Sequence, residues 1–226
     1  MTTTAASIRP RMYDIPHKGL RNALAHFSLL AGNTDYRDSF AIAQLHRLGQ
    51  EVFTMLDEHA EGENSVLLAE LELRHPGAGR HNFDDHDQIE QQQAALAQSL
   101  DTLLTLSKTG ANLRLEGEQF FHRLNQFYSA YMQHMEEEEE DTQAELWAHF
   151  TDEELEGLTR RIIAHIKPEV MLLWVKWSAP ALPHTERSAW MRAMKAGAPA
   201  PFFAQVMATL EAALPPLDLE MLKGEL

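Results

Sequence analysis

Four histidines and two glutamates of this chain have the types and spacings needed for metal chemistry. His59 and Glu63 form one His-x-x-x-Glu pair, and His134 and Glu138 form a second. On a helix, an i,i+4 step advances about 400°, so both members of a pair project from one stripe. The stripe ahead of the first pair reads Ile42, Leu45, Gly49, Val52, Leu56, lands on His59 and Glu63, and continues to Val66. The stripe ahead of the second reads Phe120, Leu124, Phe127, Tyr131 and lands on His134 and Glu138. Ligand-type residues thus stand where packing would place leucine. Burying an ionised carboxylate there costs several kcal/mol unless it is paired or bound to a metal. Two further histidines share this placement. His17 extends backwards the stripe Leu20, Leu24, Phe27, Ala31, and His86 opens the stripe Ile89/Glu90, Gln93, Leu96, Leu100, Leu103.

Four imidazoles and two carboxylates are too many for one tetrahedral zinc, and calcium does not recruit histidines. Two metals, each with two histidines and sharing two bridging glutamates, use all six residues. That arrangement leaves positions for a bridging oxygen and an exogenous ligand. Imidazole with carboxylate suits non-haem iron, with manganese and zinc ranked behind it. A ferritin-type site needs two Glu-x-x-His motifs, and Glu72–His75 has no clear partner. Within the acidic run Glu136 to Glu140, Glu138 is offset about 40° from His134 and Glu139 about 140°, so helix phase selects Glu138. Glu137 or Glu139 would need local unwinding. Glu90, one turn after His86, either ligates, hydrogen-bonds a ligand from outside, or faces the bundle seam; the last two roles are favoured. His75 and His81 read as loop residues and His26 as a surface residue.

The elements that must position these residues are helices. The 226 residues are 44% hydrophobic, enough for one sizeable domain. Few valines and isoleucines and no two-residue alternation indicate an all-α class. A first helix opens near Asp14 and Pro16 and ends at Gly32-Asn33, a sequence suited to a left-handed cap. The second begins near Asp35 and runs to about Leu73, roughly 58 Å. Gly62 inside it marks either a mild kink or room for a neighbour. After a turn over residues 74–83, a third helix runs from Asp84 to Lys108 and a fourth from about Glu116 to Phe150. This is an up-down-up-down four-helix bundle. In such a bundle the starts of the odd helices, with His17 and His86, share an end with the late parts of the even helices, with His59 and His134.

Residues 1–13 read as a flexible lead-in, 14–150 as the bundle and 151–226 as a C-terminal extension. In the extension, Thr151-Asp-Glu-Glu resembles a capping box. Pro168, Pro180, Pro183, Pro199 and Pro201 divide the remainder into short helices rich in Trp and Phe. These are expected to pack on the bundle; their alternative role is a homodimer or partner surface. The net charge of −15 argues against a nucleic-acid partner, and no apolar run is long enough for a membrane span. The chain has no cysteine, so any metal is held by imidazole and carboxylate. The expected compartment is the cytoplasm.

These residues resemble the hemerythrin-like, or HHE cation-binding, domains. The matching words are PHKGL around His17, LDEHAEGENSVLLAEL around His59 and Glu63, FDDHDQIEQQ around His86, and YMQHMEEEEEDTQAELW around His134 and Glu138. The resemblance implies a bundle holding an oxo- or hydroxo-bridged di-iron centre, with the four histidines as terminal ligands and Glu63 and Glu138 bridging. Oxygen-carrying members have a histidine where Glu90 stands and place the last carboxylate five residues after the last histidine. The pattern here is closer to bacterial di-iron proteins linked to iron–sulfur repair and nitric oxide, whose cysteine-bearing segment has no counterpart in this chain. The tail resembles extensions that follow some hemerythrin-like domains, including those of plant iron-sensing proteins. The expected function is binding or sensing of oxygen, nitric oxide or peroxide, or of iron level. The alternatives are a redox enzyme of peroxidase, oxidase or nitric-oxide reductase type, an iron–sulfur repair role, and an interaction module that the metal only staples.

Overall fold

A computed structural model describes residues 9–226, and among them every regular element is helical. The first helix, α1 (Asp14–Asn33), buries Leu20, Leu24, Phe27 and Ala31 together with His17. It ends without the expected left-handed cap. Thr34 is extended, and its hydroxyl donates to the Leu30 carbonyl at 2.8 Å, turning the chain outward. The second helix, α2 (Ser39–Gly62), starts four residues later than the periodicity suggests. Asp38 caps it by accepting the Phe40 N–H at 2.8 Å, whereas Asp35 is engaged by Arg37.

Two interruptions matter for the site. A π-helical turn, Glu63–Leu67, joins α2 to α3 (Leu68–Arg74), and a second, Glu138–Thr142, joins α5 (Arg114–Glu137) to α6 (Gln143–His149). Each inserts one residue into the helix and displaces the buried stripe by one position. Beyond Glu63 an unbroken step would bury Glu70 and Leu73. Instead Leu67, Leu68 and Leu71 are buried and Leu73 is 79% exposed. Beyond Glu138 the buried residues are Thr142, Gln143 and Leu146. Between these long interrupted helices runs α4 (Arg80–Ser107), which begins earlier than expected and takes His81 into its first turn. Helices α1, α2, α4 and α5 each pack on the next, and α1 closes onto α5. The result is a four-helix bundle around Leu24, Phe27, Leu45, Leu56, Phe120 and Phe127.

Residues 1–8 of the expected lead-in lie outside the described residues, and 9–13 are docked rather than loose. Arg9 donates to the Trp147 and Phe150 carbonyls, each at 2.7 Å, and pairs with Asp152. Tyr13 is buried.

The extension packs on the bundle. The capping box forms as Thr151 and Glu154 exchange bonds at the start of α7 (Asp152–His165), which lies against the first π turn. Gly62 gives α7 its clearance: a Cβ there would sit 3.1 Å from Ile162 Cγ2. Helix α8 (Pro168–Ala181) packs along α1 and α2. Its Trp174 and Trp177 enter the bundle core, with their indoles donating to Glu58 at 2.6 Å and Glu51 at 3.2 Å. Pro180 lies inside α8 without ending it. Helices α9 (His184–Gly197), α10 (Ala200–Ala213) and α11 (Pro216–Glu225) build a separate apolar cluster with α8 around Val175, Met191, Val206 and Leu210. Among the described residues, no helix is long and apolar enough to cross a membrane.

The α1–α8 seam depends on a close approach at Gly19, where any Cβ would collide with Ser178. Gly19→Leu should therefore lower stability by about 1–3 kcal/mol, the usual cost of overpacking, and expose the extension to protease. Thermal melting and limited proteolysis against a Gly224→Ala control, where a Cβ meets open space, would check this.

Candidate metal centre

The six side chains singled out in the sequence meet at one end of the bundle. All are buried: His17 and Glu138 at 0% exposure, Glu63 and His86 at 3%, His134 at 5% and His59 at 8%. Their donor atoms fall into two groups, His17, His59, Glu63 and Glu138 in one and His86, His134, Glu63 and Glu138 in the other. The glutamates belong to both because each divides its oxygens. Glu63 Oε1 lies 3.4 Å from His59 Nε2, while Glu63 Oε2 lies 3.3 Å from His86 Nε2. Glu138 Oε2 lies 3.4 Å from His17 Nε2, while Glu138 Oε1 lies 3.3 Å from His134 Nε2 and 3.5 Å from His86 Nε2. His17 and His59 face each other at 3.1 Å between their Nε2 atoms.

Helix phase produces this convergence. Each His-x-x-x-Glu pair closes an α-helical segment, and its glutamate is the first residue of a π turn. The π turn then rotates the rest of the helix so that leucines resume the packing below the site.

The outer ring nitrogens of His17 and His86 are held by residues that the sequence reading did not assign. Glu139 lies 2.8 Å from His17 Nδ1 and also binds Arg21. Thus a residue pointing away from the His134 stripe orients a histidine of another helix. Asn64 Oδ1 lies 2.8 Å from His86 Nδ1, so the outer partner of this ring comes from α2's π turn and not from Glu90. Glu90 is exposed and joins neither donor group, because the buried face of α4 passes from His86 to Gln93. Glu137 turns outward to Gln133 and His81. His75 and His26 are exposed, as is His81. A polar Asn directly after a core Glu, and a Glu directly after another, were the only signals for Asn64 and Glu139.

The electrostatics suit cations. Neither glutamate has a hydrogen-bond partner for either oxygen among the described residues, and His86 Nε2 also lacks one. Buried carboxylates and imidazoles left this way form a donor set that fits two metal ions of borderline hardness. Burial alone would lower the pKa of His17, but Glu138 and Glu139 outweigh it and hold the value at about 9. Burial is likewise outweighed at His86, where Glu138 and Glu63 raise it to about 10. Burial and the neighbouring His17 lower His59 well below its ordinary value. Burial and the adjacent Glu138 lift Glu63 to about 7. Burial alone would raise the pKa of Glu138, but the His17 and His86 rings, 3.4 and 3.5 Å from its oxygens, outweigh it and hold the carboxyl well below its ordinary value.

A family model described as the hemerythrin HHE cation binding domain matches residues 11–146. That span takes in all six donors and ends before α7. Neither the curated proteins nor the solved structures provide a match.

In the metal-free protein the raised pKa values keep His17 and His86 protonated at neutral pH, so metal must displace protons. Apparent affinity should rise with pH until about 9–10, where both rings are neutral. Stability from these two charged rings runs the other way. It is complete below their ordinary 6.5 and lost as pH rises through 9–10. Calorimetric metal titrations in buffers of different ionisation enthalpy, from pH 6 to 9, would count the released protons. No proton release at pH 7 would contradict this protonation scheme.

Proposed function

The chain belongs to the hemerythrin HHE cation-binding family, and from that premise we propose that it holds two iron ions and binds a small ligand at them, namely oxygen, nitric oxide or peroxide. One observation carries the reading: two buried carboxylates each present one oxygen to each of two histidine pairs. A mononuclear site has no use for that division. His17 and His59 would hold one ion and His86 and His134 the other, with Glu63 and Glu138 shared. Four protein donors per ion leave positions open, and iron bound there would supply redox-active sites for a diatomic or peroxide ligand.

The surrounding residues fix the donors. Arg21 neutralises Glu139, and Glu139 aims the Nε2 face of His17 inward. Asn64 does the same for His86 without adding charge. Such outer partners commonly set the orientation and basicity of ligating imidazoles. Trp174 lies against His59, ring centroids 6.2 Å apart, and Tyr131 lies against His134 at 5.7 Å. Burial and the nearby Glu63 and Glu138 raise the phenol pKa of Tyr13 and Tyr131 well above 10, so both stay neutral hydrogen-bond donors.

Iron-loaded protein is expected to contain about two irons per chain, to show near-ultraviolet charge-transfer bands, and to change spectrum on adding nitric oxide under anaerobic conditions. Glu63→Ala or Glu138→Ala should lose both ions, because each carboxylate serves both groups. His59→Ala and His134→Ala should each disturb one position first. Metal analysis beside an absorption spectrum decides the matter; full stoichiometry in Glu138→Ala would refute the shared-carboxylate assignment.

Asn64→Leu retains every donor but removes the partner of His86 Nδ1. It should weaken metal binding by about 10- to 100-fold, the range seen when outer partners are removed. Competition with a chelator of known affinity would measure the change.

A further inference from the structure

A second group of imidazole and carboxylate side chains lies at the surface, where α3 and α6 end. These helices continue α2 and α5 beyond the two π turns and pack against each other. His75 follows Glu63 by twelve residues and His149 follows Glu138 by eleven, which places both roughly 17 Å beyond the buried centre at 1.5 Å per residue. Glu145 and His149 form an i,i+4 pair on one face of α6, and His75 is the residue that ends α3. Donor atoms of the three lie within 4.8 Å of one another. His75 Nδ1 at 3.2 Å and His149 Nε2 at 3.3 Å approach the same oxygen, Glu145 Oε2. The two rings stand 4.6 Å apart between centroids, and all three side chains are partly open to solvent. The backbones that carry the rings are tied together. Arg74, directly before His75, donates to the His149 carbonyl at 2.7 Å and lies over the Phe150 ring at 4.1 Å. Glu154 pairs with that guanidinium. Glu72 accepts the Gly77 and Gly79 N–H groups at 2.8 and 2.7 Å, which holds the turn after His75.

We propose that His75, Glu145 and His149 bind one divalent cation of zinc type, separate from the buried centre. Two imidazoles and one carboxylate are the protein donors of an open zinc site, whose remaining position goes to water. Donors on a tetrahedral zinc, each about 2.0 Å from the ion, lie about 3.3 Å from one another. Each ring nitrogen has that separation from Glu145 Oε2 here. Charge-assisted hydrogen bonds to a carboxylate are shorter, about 2.7–2.9 Å. Calcium and magnesium prefer oxygen donors, so the two imidazoles select a softer ion. The other surface group, His81, Asp85 and Glu137, offers a single imidazole, and its Glu137 is already bonded to Gln133 at 2.8 Å. An ion at His75, Glu145 and His149 would fasten the end of α3 to the end of α6. His149 lies beyond the 11–146 span of the family match, so a residue outside that span completes the donor set. The proposal stands on these three side chains and does not depend on which ion the buried centre holds.

Zinc is the probe, titrated calorimetrically into full-length protein whose buried centre is already metal-loaded. Counting every metal in the same samples separates uptake at the surface from exchange within the centre. The wild type should bind one further zinc per chain. His75→Ala and His149→Ala should each weaken that zinc by about tenfold or more, since losing a donor costs at least as much as losing an outer partner. Glu145→Gln should weaken it in the same direction. His165→Ala, which alters an exposed histidine of α7, should leave it intact. Zinc should also raise the melting temperature of the wild type more than that of either histidine variant. Both rings are at the surface, and melting in the absence of zinc identifies the variants that fold; either one is sufficient. Absence of a further zinc in the wild type would overturn the proposal. So would a surface zinc that folded His75→Ala or His149→Ala retains at full affinity, since that would place the ion at His81, Asp85 and Glu137 or elsewhere.

Discussion

The structure depends on six ionisable side chains having been placed where a four-helix bundle would otherwise bury leucine. Removing two carboxylates from water costs several kcal/mol each before anything is gained. Here four imidazoles surround them, so Glu138 remains charged between His17 and His86, while Glu63 moves towards neutrality. This compromise costs stability that a metal-bound state recovers. The rest of the bundle has to supply that margin, and the phenylalanine and leucine layers around Phe27, Leu45 and Phe120 below the site are the natural source. The site is grouped at one end, which leaves the opposite half free to pack as an ordinary apolar core.

Much of this was legible because a helix converts spacing into direction. The three-and-four step from Ile42 and from Phe120 lands on the two His-Glu pairs, and burial of all six residues follows the same phase. The step fails one turn further on. Leu73 continues the stripe in the sequence yet is exposed, because the turn at Glu63 carries an extra residue. Periodicity averaged over a long segment hides such a one-residue slip. The break was nevertheless present in the sequence, in the adjacent apolar trio Val66, Leu67 and Leu68, which no single helical stripe explains. Helix ends were less legible for a related reason. Asp35 and Asp38 are both plausible caps, and only the competition of Arg37 for Asp35 separates them.

Residues that act on other helices were the hardest to find. Glu139 lies off the stripe of its own helix, and helix phase alone assigns it to solvent. It earns its place by reaching a ring that α1 presents, with Arg21 on that same helix compensating its charge. Asn64 works across helices in the same way. Glu90, by contrast, satisfies every local criterion and still faces outward, because Gln93 takes the buried position and bonds Asp57 at 2.5 Å. Phase therefore identifies donors on a helix's own buried face. It does not identify partners contributed from the flank of a neighbour, since those depend on how the helices are set against each other.

The two halves of the centre are not equivalent, and the extension makes them different. On the side of His86 and His134 the neighbours are Asn64, Asp85 and Tyr131, and the adjoining cavity, about 10 Å³, holds little beyond a water. On the side of His17 and His59 the bundle is covered by α7 and α8, which leave the larger apolar space against His59. A symmetric donor set thus sits in an asymmetric enclosure. At this wall stands Trp174, a residue that packs into the bundle core and is tied to Glu58 of α2. A bundle without residues 151–226 would expose that face to water. The extension thus forms the outer wall of the space beside the His17–His59 half.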